Sequence, residues 1–190
     1  MVDPESRAFD DLYRSEWRSL VALGWSLTGS WASAEELAQD AFADAYRRWA
    51  EIGLLDRPGG WVRRAVINRA VSHARRRSVE QRGVARLAGR TNVEADGPSD
   101  DRTGQAAADH VADPAFWAAV RSLPAKQAAC IALHYLEDRP VADIAEIVGC
   151  SSATVKVHLH RGRNSLANSL AHLRTDLHES PGAQDQEIRP

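Results

Sequence analysis

Cationic and hydrogen-bonding side chains are concentrated between Ser152 and Arg163. Serine, threonine, lysine, histidine and arginine can all contact base edges or phosphates in the major groove of DNA. From Ser152 to Arg174 the chain has four Lys or Arg residues and no Asp or Glu. We therefore expect this segment to bind DNA through one face of a helix. The outward positions are Ser152, Thr154, Lys156, His158, His160, Arg161 and Arg163.

A second cationic segment extends from Trp61 to Arg90 and contains nine arginines against one acid, Glu80. So many like charges repel one another unless an anion neutralises them, and a nucleic-acid backbone supplies such anions. Nearby polar side chains add hydrogen bonds, and Trp61 offers a packing anchor or a stacking face for an unpaired base. The candidate residues are Trp61, Arg64, Asn68, Arg69, Ser72, His73, Arg75, Arg76 and Arg77.

A third charged surface is predicted on a helix from Ser33 to Trp49. Acids come first and bases follow, which is the order that the helix dipole favours. The charge pattern alone is equally compatible with a solvated surface helix. The outward residues are Glu35, Glu36, Gln39, Asp40, Asp44, Arg47 and Arg48.

Each of these segments must be positioned by a helix, because apolar residues recur along them at steps of three and four. Around the first segment the sequence predicts a helix-turn-helix. Gly149 is expected to end its first helix and Ser151 to cap its second. Val155 and Leu159 begin the predicted buried stripe of the second helix.

The preceding helices are predicted from local signals. The first extends from about Pro4 to Thr28. In the second, Ser33 is the expected N-cap, and Glu36 three residues later would complete a capping box. The arginine-rich helix is predicted to begin at Trp61, after the Pro-Gly-Gly break.

No apolar period survives between residues 84 and 112, where acids, Gly, Pro and Ser dominate. Such a composition is typical of a flexible linker. We therefore predict an all-α protein with two small helical domains, residues 1–83 and 113–177, joined by a flexible acidic linker over residues 84–112. A disordered tail is predicted over residues 178–190. In this description the two domains need not touch.

The sequence offers no set of residues for covalent or metal chemistry. It has no Ser/His/Asp set, no Gly-rich phosphate loop and no metal-ligand spacing, so we expect no enzyme activity, metal or cofactor. Cys130 and Cys150 are read as buried thiols in a reducing compartment. No apolar run approaches membrane-spanning length and no secretory signal begins the chain, which predicts a cytoplasmic protein without membrane insertion.

Three segments, in this order, resemble bacterial sigma factors of the extracytoplasmic-function group, the small two-domain members of the sigma-70 family. Residues 33–49 read SAEELAQDAFADAYRRW and resemble the segment that docks on core RNA polymerase. Residues 61–77 read WVRRAVINRAVSHARRR and resemble the segment that reads and melts the promoter −10 element. Residues 123–163 resemble the domain that reads the −35 element. The chain departs from the family pattern at Ser33, Ser72, His158 and Gly162, where the family more often has Asp, Asp, Arg and Ala.

The resemblance implies a role for each charged surface. The surface on residues 35–48 would dock on the polymerase, the arginine-rich surface with Trp61 would read the −10 element, and the surface on residues 152–163 would read the −35 element. It also implies core RNA polymerase and promoter DNA as partners and an anti-sigma factor as a regulator.

Two other functions stay open at this point. Residues 154–158 also resemble the helix-turn-helix of LuxR-type transcriptional regulators. A receiver domain of such a regulator would need alternating strands and helices, which the first part of this chain does not predict. For the helix-turn-helix by itself, an ordinary helical hairpin with a solvated basic face is the other alternative.

Overall fold

The structure is a computed structural model that describes residues 4–87 and 113–178. We call these two ranges the first module and the second module. The described residues form eight helices and no strand, in agreement with the predicted all-α class. The helices are α1 Pro4–Thr28, α2 Trp31–Arg47, α3 Trp49–Ile52, α4 Pro58–Leu87, α5 Pro114–Ser122, α6 Ala125–Tyr135, α7 Val141–Val148 and α8 Ser152–His178.

In the first module, α1, α2 and α4 pack around a core of aliphatic and aromatic side chains. Leu20, Leu23 and Val62 are fully buried there. A Cβ added at Gly24 of α1 would lie 3.1 Å from the Cβ of Ala34 in α2, so a small residue at each position lets the two backbones approach closely. This close packing fixes the direction in which α2 and α4 present their charged faces.

The predicted start of α2 is wrong. Ser30, not Ser33, is the N-cap, and its hydroxyl accepts a hydrogen bond from the Ser33 amide at 3.3 Å. Both serines offer a hydroxyl that can cap a helix, although only Ser33 has a Glu three residues later. The left-handed Gly29, with φ of +77°, ends the preceding turn one residue before Ser30 and so decides between them.

The predicted start of α4 is also three residues late. The helix begins at Pro58, a residue whose fixed φ and missing N–H suit the first turn of a helix. It continues to Leu87, four residues past the boundary predicted at residue 83. The remainder of the predicted linker, residues 88–112, and residues 179–190 of the predicted tail lie outside the described residues.

The second module contains the predicted helix-turn-helix in α7 and α8. Gly149 ends α7 in the left-handed region with φ of +69°, and Ser151 caps α8 by accepting a hydrogen bond from the Thr154 amide at 3.1 Å. Val155 and Leu159 are buried, as the apolar period predicts. Packing explains why position 162 is a glycine. A Cβ there would lie only 3.0 Å from Cγ1 of Ile131 in α6.

The two modules pack against each other, a contact that the sequence does not predict. α1 contacts α5 and α6, and α4 contacts α7. Trp25 of α1, for example, meets Trp117 of α5 edge to face, with ring centroids 6.5 Å apart. Such contacts join residues that are distant in the sequence and share no period, so the sequence carries no signal for them.

Candidate nucleic-acid interface

The first half of α8 presents a continuous polar surface opposite its buried stripe. Six of the seven predicted residues on this surface are exposed: Ser152, Thr154, Lys156, His160, Arg161 and Arg163. The Thr154 hydroxyl lies 2.8 Å from the Ser151 hydroxyl, while His160 lies 3.3 Å from the Asn164 amide. A helix whose first half presents such a face, with no acid between Ser152 and Arg174, can enter a major groove and contact both bases and phosphates.

His158 is placed differently from the other six residues. It is half-buried, and its Nδ1 is buried without a hydrogen-bond partner among the described residues. The sequence predicted an outward position because one turn of helix separates His158 from Thr154. In the structure its ring lies at the edge of the buried stripe.

Tyr135 of α6 belongs to the same surface, although the sequence did not single it out for function. It is 51% exposed, and its hydroxyl accepts a hydrogen bond from Nε of Arg163 at 2.7 Å. The Arg163 guanidinium also lies 5.6 Å from the centroid of the Tyr135 ring. Tyr135 therefore holds a cation of the predicted −35 surface in place. Its helical spacing resembled that of a core residue, which concealed this role.

The outward face of α4 carries the predicted hydrogen-bonding and cationic residues of the second surface. Asn68, Ser72 and Arg75 to Arg77 are exposed, and His73 is half-buried. The Ser72 hydroxyl donates to the Asn68 carbonyl at 2.9 Å. Trp61 is half-buried beneath the Arg48 guanidinium, 5.5 Å from its ring centroid, so it acts here as a packing anchor.

Two arginines of this predicted surface are already bound to other parts of the chain. Arg64 donates from Nε to the Ile147 carbonyl at 2.9 Å and from its Nη2 to the Glu146 carbonyl, both at the end of α7. Arg69 forms an ion pair with Asp44 of α2. The structure therefore separates these two from the exposed run of Arg75 to Arg77.

The outward face of α2 is acidic at its centre. Glu36, Gln39 and Asp40 are exposed, and Glu35 is half-buried. This face points away from the buried Leu37 and Ala41. Arg48, beyond the end of α2, pairs with Glu51 at 2.8 Å.

Asp44 joins the α2 surface to the α4 surface. Its carboxylate pairs with Arg47 of the same helix and with Arg69 of α4. Partial desolvation raises the pKa of Asp44, but hydrogen bonds and charge from Arg69 and Arg47 outweigh it, and the pKa lies below its ordinary value. The two predicted surfaces are therefore adjacent, and the Asp44–Arg69 ion pair joins them.

A buried ionic cluster, which the sequence did not reveal, lies where the modules meet. Arg63 is 2% exposed and donates to Glu16 of α1 and to Glu137 of the second module, each at 2.5 Å. Glu137 also accepts hydrogen bonds from Ser19 at 2.8 Å and from Arg139 at 3.2 Å. Burial lowers the pKa of Arg63, but the two carboxylates outweigh that effect and raise it. In the sequence Arg63 resembles the other cations of the basic helix. Its two partners lie in distant segments, so no local pattern marks it as buried.

Both cysteines are free thiols, as predicted, but only Cys130 is buried as expected. Cys130 is fully buried in α6, and burial raises its pKa to about 12. Cys150 is half-buried in the turn before α8. Within residues 4–87 and 113–178 no group of three His, Cys, Asp or Glu side chains could hold a metal ion. None of the helices described is long and apolar enough to cross a membrane.

The chain matches two family models in the order that its modules follow. Residues 12–80 match the model of sigma-70 region 2, and residues 114–166 match the model of sigma-70 region 4. Together these matches span more than half of the chain. They cover α4 up to residue 80 and the helix-turn-helix up to residue 166, and these parts carry the two predicted basic surfaces.

Curated relatives align with nearly the whole chain. The ECF RNA polymerase sigma factor SigM of Mycobacterium tuberculosis is 28% identical over 170 residues, covering 90% of this chain and 81% of that protein. The RNA polymerase sigma-E factor of Streptomyces antibioticus is 27% identical over 177 residues, covering 93% and 88%. The ECF RNA polymerase sigma factor SigW of Bacillus subtilis is 25% identical over 171 residues, covering 86% and 87%.

A solved structure shares the fold. The sigma factor RpoE of Bartonella quintana, in co-crystal with the anti-sigma factor NepR, superposes with a TM-score of 0.65 and 23% identity, covering 86% of this chain and 96% of that chain. This likeness concerns the fold alone. The two matched regions and the relatives together lead to one conclusion: the chain belongs to the sigma-70 family, in its extracytoplasmic-function group.

Proposed function

We propose that this protein binds core RNA polymerase and directs it to promoters by reading a −10 element with α4 and a −35 element with α8. The observation that carries the proposal is the pairing, in one chain, of an acid-free α8 face with the arginine-rich α4. Both lie on helices whose opposite sides are buried, so each is held at a fixed orientation. Promoter recognition needs two such surfaces, one for each element.

On the −35 side, the exposed residues fall into two chemical types. Ser152 and Thr154 at the start of α8 are short hydrogen-bonding residues suited to base edges, and Lys156, Arg161 and Arg163 are long cations that reach phosphates. His158 is the least exposed of the predicted set, and we assign it a minor contact or none.

On the −10 side, Asn68, Ser72 and His73 offer hydrogen bonds to unpaired bases, while Arg75 to Arg77 offer charge to the single strand. Trp61, beneath Arg48, stiffens the start of this surface. Arg64 and Arg69 join it only after they leave their present partners. Residues 1–83 would then form the −10 and polymerase-docking domain, and residues 113–177 the −35 domain, with the chain between them spanning the distance on DNA.

The α2 surface is the proposed docking site for polymerase. Glu35, Glu36, Gln39, Asp40, Asp44, Arg47 and Arg48 form this surface.

The partners are core RNA polymerase, promoter DNA and an anti-sigma factor of the kind that accompanies the Bartonella relative. The protein acts in the cytoplasm as a binding factor without catalytic chemistry of its own. A LuxR-type regulator is disfavoured, because the matched sigma-70 region 2 occupies the part of the chain where its receiver domain would stand.

Run-off transcription with purified core polymerase on a library of genomic fragments tests this function. Added protein should produce transcripts from a small set of promoters that share −35 and −10 sequences. A LuxR-type regulator would instead bind its DNA site without polymerase. Specific binding of the free protein to a duplex, with no effect on start-site choice, would reject the proposal.

The docking surface is tested by reversing two of its exposed acids. The double variant Glu36→Lys with Asp40→Lys changes carboxylates that face away from the core, so helicity should be unchanged while affinity for core polymerase falls by about tenfold or more, as loss of charge complementarity predicts. Asp10→Lys with Asp11→Lys, on exposed positions of α1, gives the matched change in charge. Equal polymerase binding by both double variants would mean that α2 is a solvated face.

A further inference from the structure

The centre of the outward face of α8 is apolar, although its flanks are charged. Val157 is 46% exposed, and within the described part of the second module Tyr135 is the other large hydrophobic residue that is exposed. Ala153 is exposed too and lies on the same face, because it precedes Val157 by four residues, about one helical turn. The two side chains therefore form a short strip of methyl groups along α8.

The direction of Val157 follows from the buried stripe on the other side of α8. Leu159 and Leu166 of that stripe are 4% and 5% exposed. At about 100° of rotation per residue, Val157 lies about 160° from Leu159 and about 180° from Leu166 around the helix axis. α8 packs against α5, α6 and α7. Val157 therefore points directly away from the body of the second module.

Cations and hydrogen-bonding residues flank the methyl strip on both sides. These exposed residues are Lys156 and His160 on one side and Thr154 and Arg161 on the other. Long cations at the flanks of a helix reach the phosphates that border the major groove, while the centre of the face lies nearest to the base pairs. The side chain that meets the base edges at the centre is then the apolar Val157.

Exposure alone does not assign a role to Val157, because single apolar residues are common on protein surfaces. Two further properties do. A β-branched residue is a poor choice for an exposed helix position, since it loses χ1 freedom there and gains little packing. The same restriction gives Val157 one strongly preferred rotamer, so its two Cγ methyl groups point in a fixed direction and lose little entropy on binding.

An apolar side chain at this place has one matching partner among the four bases. In the major groove thymine presents a C5 methyl group, whereas guanine, adenine and cytosine are read through hydrogen-bond donors and acceptors. Contact between methyl groups removes both from water. Burial of one group of this size changes an affinity by about fourfold. The centre of α8 is therefore suited to distinguish thymine from the other bases.

From these observations, and on the basis of the proposed function, we propose that Val157 is a specificity-determining residue that selects thymine in the −35 element. Its Cγ methyl groups contact the C5 methyl of one thymine, and the small Ala153 allows the neighbouring turn of α8 to approach the base pairs. The flanking cations hold the helix on the phosphates. The charge pattern of the sequence conceals this role, because Val157 is uncharged and lies between Lys156 and His158.

Replacement of thymine by uracil tests the contact, because it removes the methyl group and leaves every hydrogen-bonding group of the base pair in place. The −35 sequence that reconstituted holoenzyme prefers is first selected from templates randomised only in that region. Each thymine of either strand is then replaced by uracil, one at a time, and the affinity of holoenzyme for the promoter is measured. We expect one replacement to lower the affinity of the parent about fourfold. A preferred sequence without thymine, or one in which no replacement changes the affinity, would overturn the proposal.

The variant Val157→Ala shows whether Val157 senses that methyl group. Alanine is the better helix former, so this exposed substitution should leave the helicity unchanged. Holoenzyme with Val157→Ala should bind the thymine and uracil templates equally, and its selected −35 sequence should no longer prefer thymine at that position. Val157→Ile keeps the branched side chain and should retain the penalty for uracil.

Val71→Ala is the matched control, because it removes the same atoms from another exposed valine, 39% exposed on α4. It should show the same penalty for uracil as the parent. Because all proteins are compared on the same pair of templates, any effect of the missing methyl on the duplex itself cancels. A penalty as large with Val157→Ala as with the parent would also overturn the proposal, since another part of the complex would then sense the methyl.

Failure of the proposed function gives a different result. The parent chain would then direct core polymerase to no promoter, and no −35 sequence would be selected from the library, which overturns both proposals. A parent that selects a −35 sequence but does not respond to uracil overturns only the assignment of Val157.

Discussion

Single charged residues connect surfaces that the sequence presents as separate. Asp44 was predicted to face polymerase and Arg69 to face DNA, yet they form an ion pair with each other. Glu137, unremarkable in the sequence, accepts hydrogen bonds from Ser19 and Arg63 of the first module and from Arg139 of its own module. In both cases one carboxylate connects helices that belong to different parts of the proposed machinery. Loss of the charge on such a carboxylate should therefore affect both of the surfaces that it connects.

Asp44→Asn should make the stability of the first module less dependent on pH. The pKa of Asp44 in the folded protein lies below its ordinary value, so its stabilising contribution is present above the ordinary pKa and is lost as the pH falls through the folded pKa. We expect the variant to be less stable than the parent by up to about 1 kcal/mol at neutral pH, since the pair is partly exposed. Urea unfolding at pH 7 and at pH 3 measures the difference.

The difference between parent and variant should shrink at the lower pH. Asp40→Asn removes an exposed carboxylate from the same helix and is the matched control. A stability difference for Asp44→Asn that is the same at both pH values would contradict the role of the carboxylate charge.

At the scale of elements, α8 packs against the core on one side and carries the proposed −35 surface on the other. Its buried stripe consists of Val155, Leu159 and Leu166, and the close approach to α6 at Gly162 locks its rotation. The exposed residues on the other side are therefore aimed in one direction. Arg163 is further restrained by Tyr135, while no ion pair or hydrogen bond of Lys156 is found within the described residues.

Lys156→Ala should separate positioning from sequence reading. If Lys156 contacts phosphate, its loss weakens all promoters alike and reduces the slope of log affinity against log salt by about one unit. If it contacts a base edge, its loss costs about 1–3 kcal/mol at one or two base pairs. Reconstituted holoenzyme on templates randomised only in the −35 region distinguishes the two results. Lys126→Ala, an exposed lysine of α6, is the matched control, and a variant indistinguishable from that control would remove Lys156 from the −35 surface.

Within single helices, the apolar period predicted the buried residues well, whereas the capping signals predicted the helix starts less well. The buried stripe of α8 and the turn at Gly149 were predictable, because burial repeats with the helical period and only glycine adopts a positive φ without cost. The start of α2 was not, because Ser30 and Ser33 offer equivalent side chains and the choice depends on where the previous helix ends. His158 was misplaced for a related reason, since the edge of a buried stripe depends on what packs beside it.

At the scale of the whole molecule, the decisive feature is the contact between the modules. Its residues come from α1 and α4 of the first module and from α5, α6, the turn after α6 and α7 of the second. Each helical residue among them follows the pattern of its own helix. A long-range ion pair leaves no period in a sequence, so two independent domains were the natural prediction. In the docked arrangement Arg63 is buried between Glu16 and Glu137, two partners that lie far from it in the sequence.

Glu137→Gln should open the molecule. Removing one charge from a buried pair leaves Arg63 partly uncompensated, which disfavours the closed state by as much as about 3–5 kcal/mol relative to a state in which Arg63 is hydrated. Small-angle X-ray scattering should report a larger radius of gyration with unchanged helicity by circular dichroism. Glu146→Gln alters a carboxylate that is 70% exposed and 3.8 Å from Arg57, so it should leave the radius unchanged. Equal radii for both variants would show that the Arg63–Glu137 pair does not hold the modules together.

The contact joins two parts of one chain, and this determines how it responds to protein abundance. A short tether gives its two ends an effective concentration on the order of millimolar, far above that of a regulatory protein in a cell. Closure is then a unimolecular equilibrium, and the closed fraction is the same whether a cell contains ten copies or ten thousand. A rise in expression would multiply docked and undocked molecules equally, so the fraction of molecules in which the contact is formed does not depend on the amount of protein.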